Sequence, residues 1–173
     1  MSTLARRLII LALGLLAGLC AWPVVEVVLR TQDSFASYRL FLPVLGAAAG
    51  AVMGAFFGAA EGITSRVKSR LANGMLLGAA VGLAGGALGF LAGQAVLWLI
   101  GNLFLRSYRD FQLVVLPVSR AVGWAVLGVF VGAGEGVRAR SAKRILVGVL
   151  GGLVGGLLGG FVLEYSRLVL PRI

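Results

Sequence analysis

Six carboxylates carry all the acid chemistry open to this chain of 173 residues: Glu26, Asp33, Glu61, Asp110, Glu135 and Glu164. With no histidine and a single cysteine, Cys20, the chain alone cannot build a Ser-His-Asp triad, a Cys-His pair or a Cys/His zinc site. No catalytic, cofactor or metal site is expected. Two acids stand out. Glu61 and Glu135 occupy the same Gly-Ala-x-Glu-Gly setting, at Gly58–Gly62 and Gly132–Gly136. Arg66 and Arg70 follow the first, and Arg140 and Arg144 follow the second. A carboxylate at a helix C-terminus opposes the macrodipole, so it needs a cation or a proton. One reading is an ion pair that pins the turn after each glutamate. The other is a cation or proton site made by two intramembrane acids.

The remaining charges read as local pairs. Glu26 has Arg30 one turn on, or Arg39, as its partner. Glu164 has Arg167 close by. Arg120 is the most isolated cation, with Glu26 or Glu164 as a conceivable partner. Asn73 and Gln94 are the expected interhelical hydrogen bonders.

These groups must be positioned by apolar helices. Hydrophobic residues make up 60% of the chain and charged ones 13%, with 27 glycines; soluble domains average about 45–50% and about 25%. Five runs approach the ~20 apolar residues of a bilayer-crossing helix: Leu8–Leu29, Leu40–Ala60, Gly74–Ile100, Val118–Gly134 and Ile145–Leu163. The third lies in a longer apolar run, which must tilt, break near Gly101 or continue along the interface. Phe104, Tyr108 and Phe111, mixed with Arg106 and Arg109, read as an aromatic belt. The expected fold class is all-α: an integral membrane helical bundle of about five spans, with the whole chain as one membrane domain.

The formal charge of +10 sits in short runs between apolar stretches. That suits anionic headgroups and not nucleic acid, which wants a basic face interleaved with aromatics. The clusters SRVKSR (Ser65–Arg70) and RARSAKR (Arg138–Arg144) place the N-terminus inside and the C-terminus outside. Cys20 lies in an apolar run, and Ala17-Gly18-Leu19 fits a lipoprotein cleavage site poorly. Arg6-Arg7 followed by Leu8 to Ala21 resembles a signal peptide, but with Met1 at its head the segment is read as an uncleaved first span.

A duplication organises the rest. Shifted by 74 residues, Leu42–Gly86 aligns without a gap on Leu116–Gly160, with 21 identities in 45 positions. Both copies open with Leu-Pro-Val, and proline at a first helical turn costs no hydrogen bond. The units read as a first span with its outer loop (8–39), a first hairpin (40–105) and a second (113–170). Spans two and four run in the same direction, unlike the inverted repeats of many secondary transporters.

Glycines recur every fourth residue, which places them on one helix face. Span two has Gly46, Gly50, Gly54, Gly58 and Gly62; span three has Gly74, Gly78, Gly82 and Gly86. Span four has Gly128, Gly132 and Gly136; span five has Gly148, Gly152, Gly156 and Gly160. Second stripes stand at Gly85, Gly89 and Gly93, and at Gly151, Gly155 and Gly159. Such faces let backbones approach closely in lipid, where dispersion contacts drive helix pairing. Spans three and five, with two stripes each, can each pack on two neighbours: the pattern of a glycine zipper.

Trp22-x3-Glu26, then GAAEGITSRVKSR at Gly58–Arg70 and its glycine-leucine-alanine hairpin, resemble a glycine-rich multispanning module of bacterial membrane proteins. Such modules stand beside forkhead-associated or von Willebrand factor A-type domains. The resemblance spans Leu13–Gly160 and implies a bacterial plasma membrane location. No phosphopeptide-binding or adhesive role carries over, because this chain has neither soluble domain. The functional expectation is a non-catalytic scaffold or anchor subunit of a larger membrane complex. Its partners would be the lipid bilayer and other membrane subunits or further copies of itself. The alternative is a small ion or proton channel or transporter using Glu61 and Glu135.

Overall fold

The computed structural model describes residues 3–65, 67–104, 111–138 and 140–169. Five α-helices make up nearly all of them: α1 (Thr3–Leu29), α2 (Tyr38–Ser65), α3 (Lys68–Phe104), α4 (Leu116–Arg138) and α5 (Ala142–Val169). A 3-10 turn, Gln32–Ser34, lies between α1 and α2, and a π turn, Phe111–Val115, leads into α4. Each of the five helical segments is long and apolar enough to cross a membrane. The hydrocarbon core offers the backbone no hydrogen-bond partner, so these runs satisfy their N–H and C=O groups internally and stay helical despite their glycines. The fold is an all-α integral membrane bundle.

The helices extend beyond the apolar runs. The third run does not break at Gly101: α3 continues through it as one helix of 37 residues, about 55 Å at about 1.5 Å per residue. That exceeds a hydrocarbon core of about 30 Å, so α3 tilts or projects. Spatial order follows chain order. Each helix packs on the next, from α1 on α2 to α4 on α5, and α2 also touches α4. The outer members are therefore α1 and α5. The core between helices is built from small or singly placed residues: Leu13, Ala17 and Ala21 on α1, Phe41, Leu45 and Ala49 on α2, and Ala121, Ala125 and Leu127 on α4. Leucines and valines such as Leu76, Leu99, Leu146 and Val162 are exposed instead, as side chains that face acyl chains must be.

The prolines revise one expectation. Because α2 begins at Tyr38, Pro43 lies beyond the first turn, and its missing N–H does have a cost. The carbonyl four residues back, on Arg39, loses its helical donor. Gln94 Nε2, on α3, donates to that Arg39 oxygen at 3.4 Å. In the second hairpin the π turn carries helical backbone upstream of Pro117, and the carbonyl four residues back belongs to Leu113. The Tyr165 hydroxyl, on α5, donates to it at 3.3 Å. Both copies thus supply the proline-orphaned carbonyl from the next helix, by residues that are not repeat equivalents. Gln94→Leu and Tyr165→Phe should each lower stability by about 0.5–1 kcal/mol, the usual worth of an interhelical hydrogen bond in a membrane. Unfolding by sodium dodecyl sulfate in mixed micelles measures this; an unchanged midpoint in both would mean that these carbonyls do not depend on the two side chains.

Candidate helix-packing site

The closest approaches in the bundle are backbone to backbone. Between α2 and α3, Gly46 faces Gly86, Gly50 faces Gly82, Gly54 faces Gly78 and Gly58 faces Gly74. An added Cβ on Gly54 would lie 2.8 Å from the Gly78 carbonyl carbon and 3.0 Å from Gly82 Cα. Neither is a flexible side-chain end that can move aside, so only glycine fits. The ladder closes at the turn, where Gly62 meets Leu71.

Between α4 and α5 the same register recurs, shifted by the repeat. Gly128 faces Gly152, Gly132 faces Gly148 and Gly136 meets Ile145. Further along, the copies diverge. Where α2 has Gly50 and Gly46, α4 has Trp124 and Arg120. Gly156 and Gly160 on α5 therefore meet the backbones of Trp124 with Ala125, and of Ala121. The Trp124 ring packs edge-on against Phe90 of α3, with centroids 6.0 Å apart. At the last step, Arg120 Nη1 donates to Glu164 Oε2 at 2.7 Å. The repeat equivalent of Glu164 is Phe90, which packs over Gly46 in the first hairpin. An apolar step of one copy is an ion pair in the other.

The second stripe of α3 is covered. Gly85 lies against Phe130, Gly89 against Gly123 and Gly93 against Ser119, all on α4. The second stripe of α5 is not. At Gly151, Gly155 and Gly159 an added Cβ would meet no atom within 4 Å. Of the two helices with double stripes, only α3 has both covered among the described residues.

The charged residues distribute as follows. Glu164 is buried and faces Arg120; the side chain of Arg167, the neighbour the sequence also offers it, lies outside the described residues. Of the two conceivable partners of Arg120, the structure selects Glu164. Glu26 pairs with Arg30 at 3.8 Å, with both side chains mostly exposed, so Arg39 is not needed. An exposed pair of this kind contributes about 0.3–0.5 kcal/mol. Gln94 bridges α3 to α2 as described, and Asn73 is exposed. The side chains of Glu61 and Glu135 lie outside the described residues, as do Arg66, Arg106, Tyr108 and Arg109; so does the Phe104 side chain. The backbone places Glu61 and Glu135 in the last turns of α2 and α4, at one end of the bundle and not at its middle. Arg70, Arg140 and Arg144 are exposed at that same end.

The Arg120–Glu164 contact was reachable from the repeat: it extends the ladder by one turn. Of the two proline carbonyl donors, Gln94 is the interhelical hydrogen bonder the sequence offers, and Tyr165 had no such signal. No protein-family model, curated protein or solved structure matches the chain.

Proposed function

We propose that this protein is a non-catalytic membrane scaffold or anchor subunit that seats a helix of another subunit on α5, in the first instance α5 of a second copy. The observation that carries this reading is the bare stripe of Gly151, Gly155 and Gly159. Every glycine there weakens the helix by about 0.5–1 kcal/mol relative to alanine and meets no neighbour among the described residues. A glycine zipper within each hairpin fixes the bundle, and the extra stripe is left for association. The face is apolar and self-complementary: a glycine furrow flanked by exposed Val147, Leu150, Val154 and Leu158. Two copies inserted the same way present it in parallel about a two-fold axis, the geometry in which small-xxx-small stripes pair. The position of Glu61 and Glu135 at the helix ends favours this reading over a mid-membrane ion site. The resemblance and the basic turns support a bacterial plasma membrane with the N-terminus cytoplasmic.

Energy transfer between donor- and acceptor-labelled chains in liposomes tests the association. The parent chain should associate, and Gly155→Leu should weaken association at least about tenfold, a loss of about 1.4 kcal/mol. Unaltered secondary structure and unfolding midpoint in the variant would show that the loss is not one of folding. Association that is absent in the parent, or indifferent to Gly155→Leu, overturns the self-association reading.

A further inference from the structure

The two hairpin turns lie at one end of the bundle. The register of α3 on α4, with Gly93 against Ser119, Gly89 against Gly123 and Gly85 against Phe130, runs antiparallel and carries the start of α3 towards the end of α4. Lys68 and Arg70 open α3, Arg140 lies in the second turn, and Lys143 and Arg144 open α5; all five side chains are exposed. Arg140 holds the left-handed position (φ 47°) of a helix-ending motif. There Ser141 N donates to the Gly136 carbonyl and Arg140 N to that of Val137, both at 3.1 Å. Glycine usually fills that position, and here it carries a cation.

These cations sit where a helix least favours them. A helix N-terminus is positive and attracts acids, yet neither α3 nor α5 has an acidic residue in its first turn. By sequence, Glu61 and Glu135 are the only acids near either turn. At the opposite end Arg30 and Arg120 each have a carboxylate, and the exposed Arg39 stands singly rather than in a cluster. Directly beyond the basic turns the surface changes character: Leu76 and Leu77 follow Arg70, and Leu146 and Val147 follow Arg144, all exposed. Cations stacked above an open apolar wall match one molecule in both halves, a phosphate headgroup above acyl chains.

We propose that this end of the bundle binds anionic phospholipid, the headgroup phosphates between the two basic turns and the acyl chains along the exposed leucines below them. The open apolar wall favours lipid over free phosphate. The test is native mass spectrometry of the full chain in a non-ionic detergent, titrated with dioleoyl phosphatidylglycerol or with dioleoyl phosphatidylcholine. The anionic lipid should bind tighter. Arg70→Gln/Arg144→Gln should weaken it by about ten- to thirtyfold, from about 1 kcal/mol per cation near an anionic surface. The charge-matched variant Arg30→Gln/Arg39→Gln should change it less than about twofold, because those residues lie at the other end. Equal binding of the two lipids overturns the proposal. So does an equal loss in both variants, which would report net charge alone. Displacement of the lipid by inorganic phosphate at equal concentration would also overturn it, in favour of a free-anion site.

Discussion

Gly54→Leu should push α2 off α3 and destabilise the bundle strongly. The reason is geometric. The space beside Gly54 is already occupied by the Gly78 carbonyl and by Gly82 Cα, the latter 3.0 Å from where a Cβ would stand. Both belong to helical backbone, so the only relief is a rigid separation of the helices. That separation loses the neighbouring approaches at Gly50 and Gly58 together. Overpacking of a well-filled interface costs about 1–3 kcal/mol; Gly54→Ala should fall in that range and Gly54→Leu above it. Gly155 is the internal control. With nothing within 4 Å, Gly155→Ala should stabilise the monomer by about 0.5–1 kcal/mol through backbone entropy alone. Denaturation by sodium dodecyl sulfate in mixed micelles reads all three. A neutral Gly54→Ala would mean that the backbones are not in contact there.

The second large effect concerns Arg120 and Glu164. The Glu164 side chain is 9% exposed and that of Arg120 44%, so the carboxylate depends on the guanidinium more than the reverse. Removing one member of a fully buried pair costs about 3–5 kcal/mol; here the partial exposure of Arg120 brings the expected loss to about 2 kcal/mol for Arg120→Gly. The first hairpin shows what can replace the pair, because glycine and phenylalanine occupy the equivalent positions at Gly46 and Phe90. Arg120→Gly/Glu164→Phe should therefore recover to within about 1 kcal/mol of the parent, since apolar replacements of buried pairs are often near neutral. The coupling between the two sites is read from the four unfolding midpoints. Strict additivity would show that the pair is incidental.

The duplicated sequence made much of this fold legible. The glycine period of four marked the packing faces of α2 to α5, and the alignment of Leu42–Gly86 on Leu116–Gly160 implied two hairpins of one register, which the rungs at Gly54–Gly78 and Gly128–Gly152 display. Helix ends were less legible, because apolarity ends where the hydrocarbon does while the helix continues: Tyr38, Lys68 and Val169 lie beyond the apolar runs. That extension placed Pro43 within α2 and created the carbonyl that Gln94 serves. The Arg120–Glu164 contact spans 44 positions; the sequence offers Glu164 as one of two conceivable partners of Arg120, and extending the ladder by one turn selects it. Which glycine stripe would be covered was not legible at all. Gly85 and Gly151 look alike in sequence, and only the seating of α4 on α3 separates them.

Cysteine scanning along α5 tests the central claim most directly. In a Cys20→Ser background, single cysteines at positions 150 to 162 are oxidised in liposomes, and the disulfide-linked dimer is quantified at each. If α5 seats its counterpart on the bare stripe, dimer yield peaks at Gly151→Cys, Gly155→Cys and Gly159→Cys and falls on the face that packs against α4, at Gly152→Cys, Gly156→Cys and Gly160→Cys. A flat profile, or no dimer at any position, would contradict it.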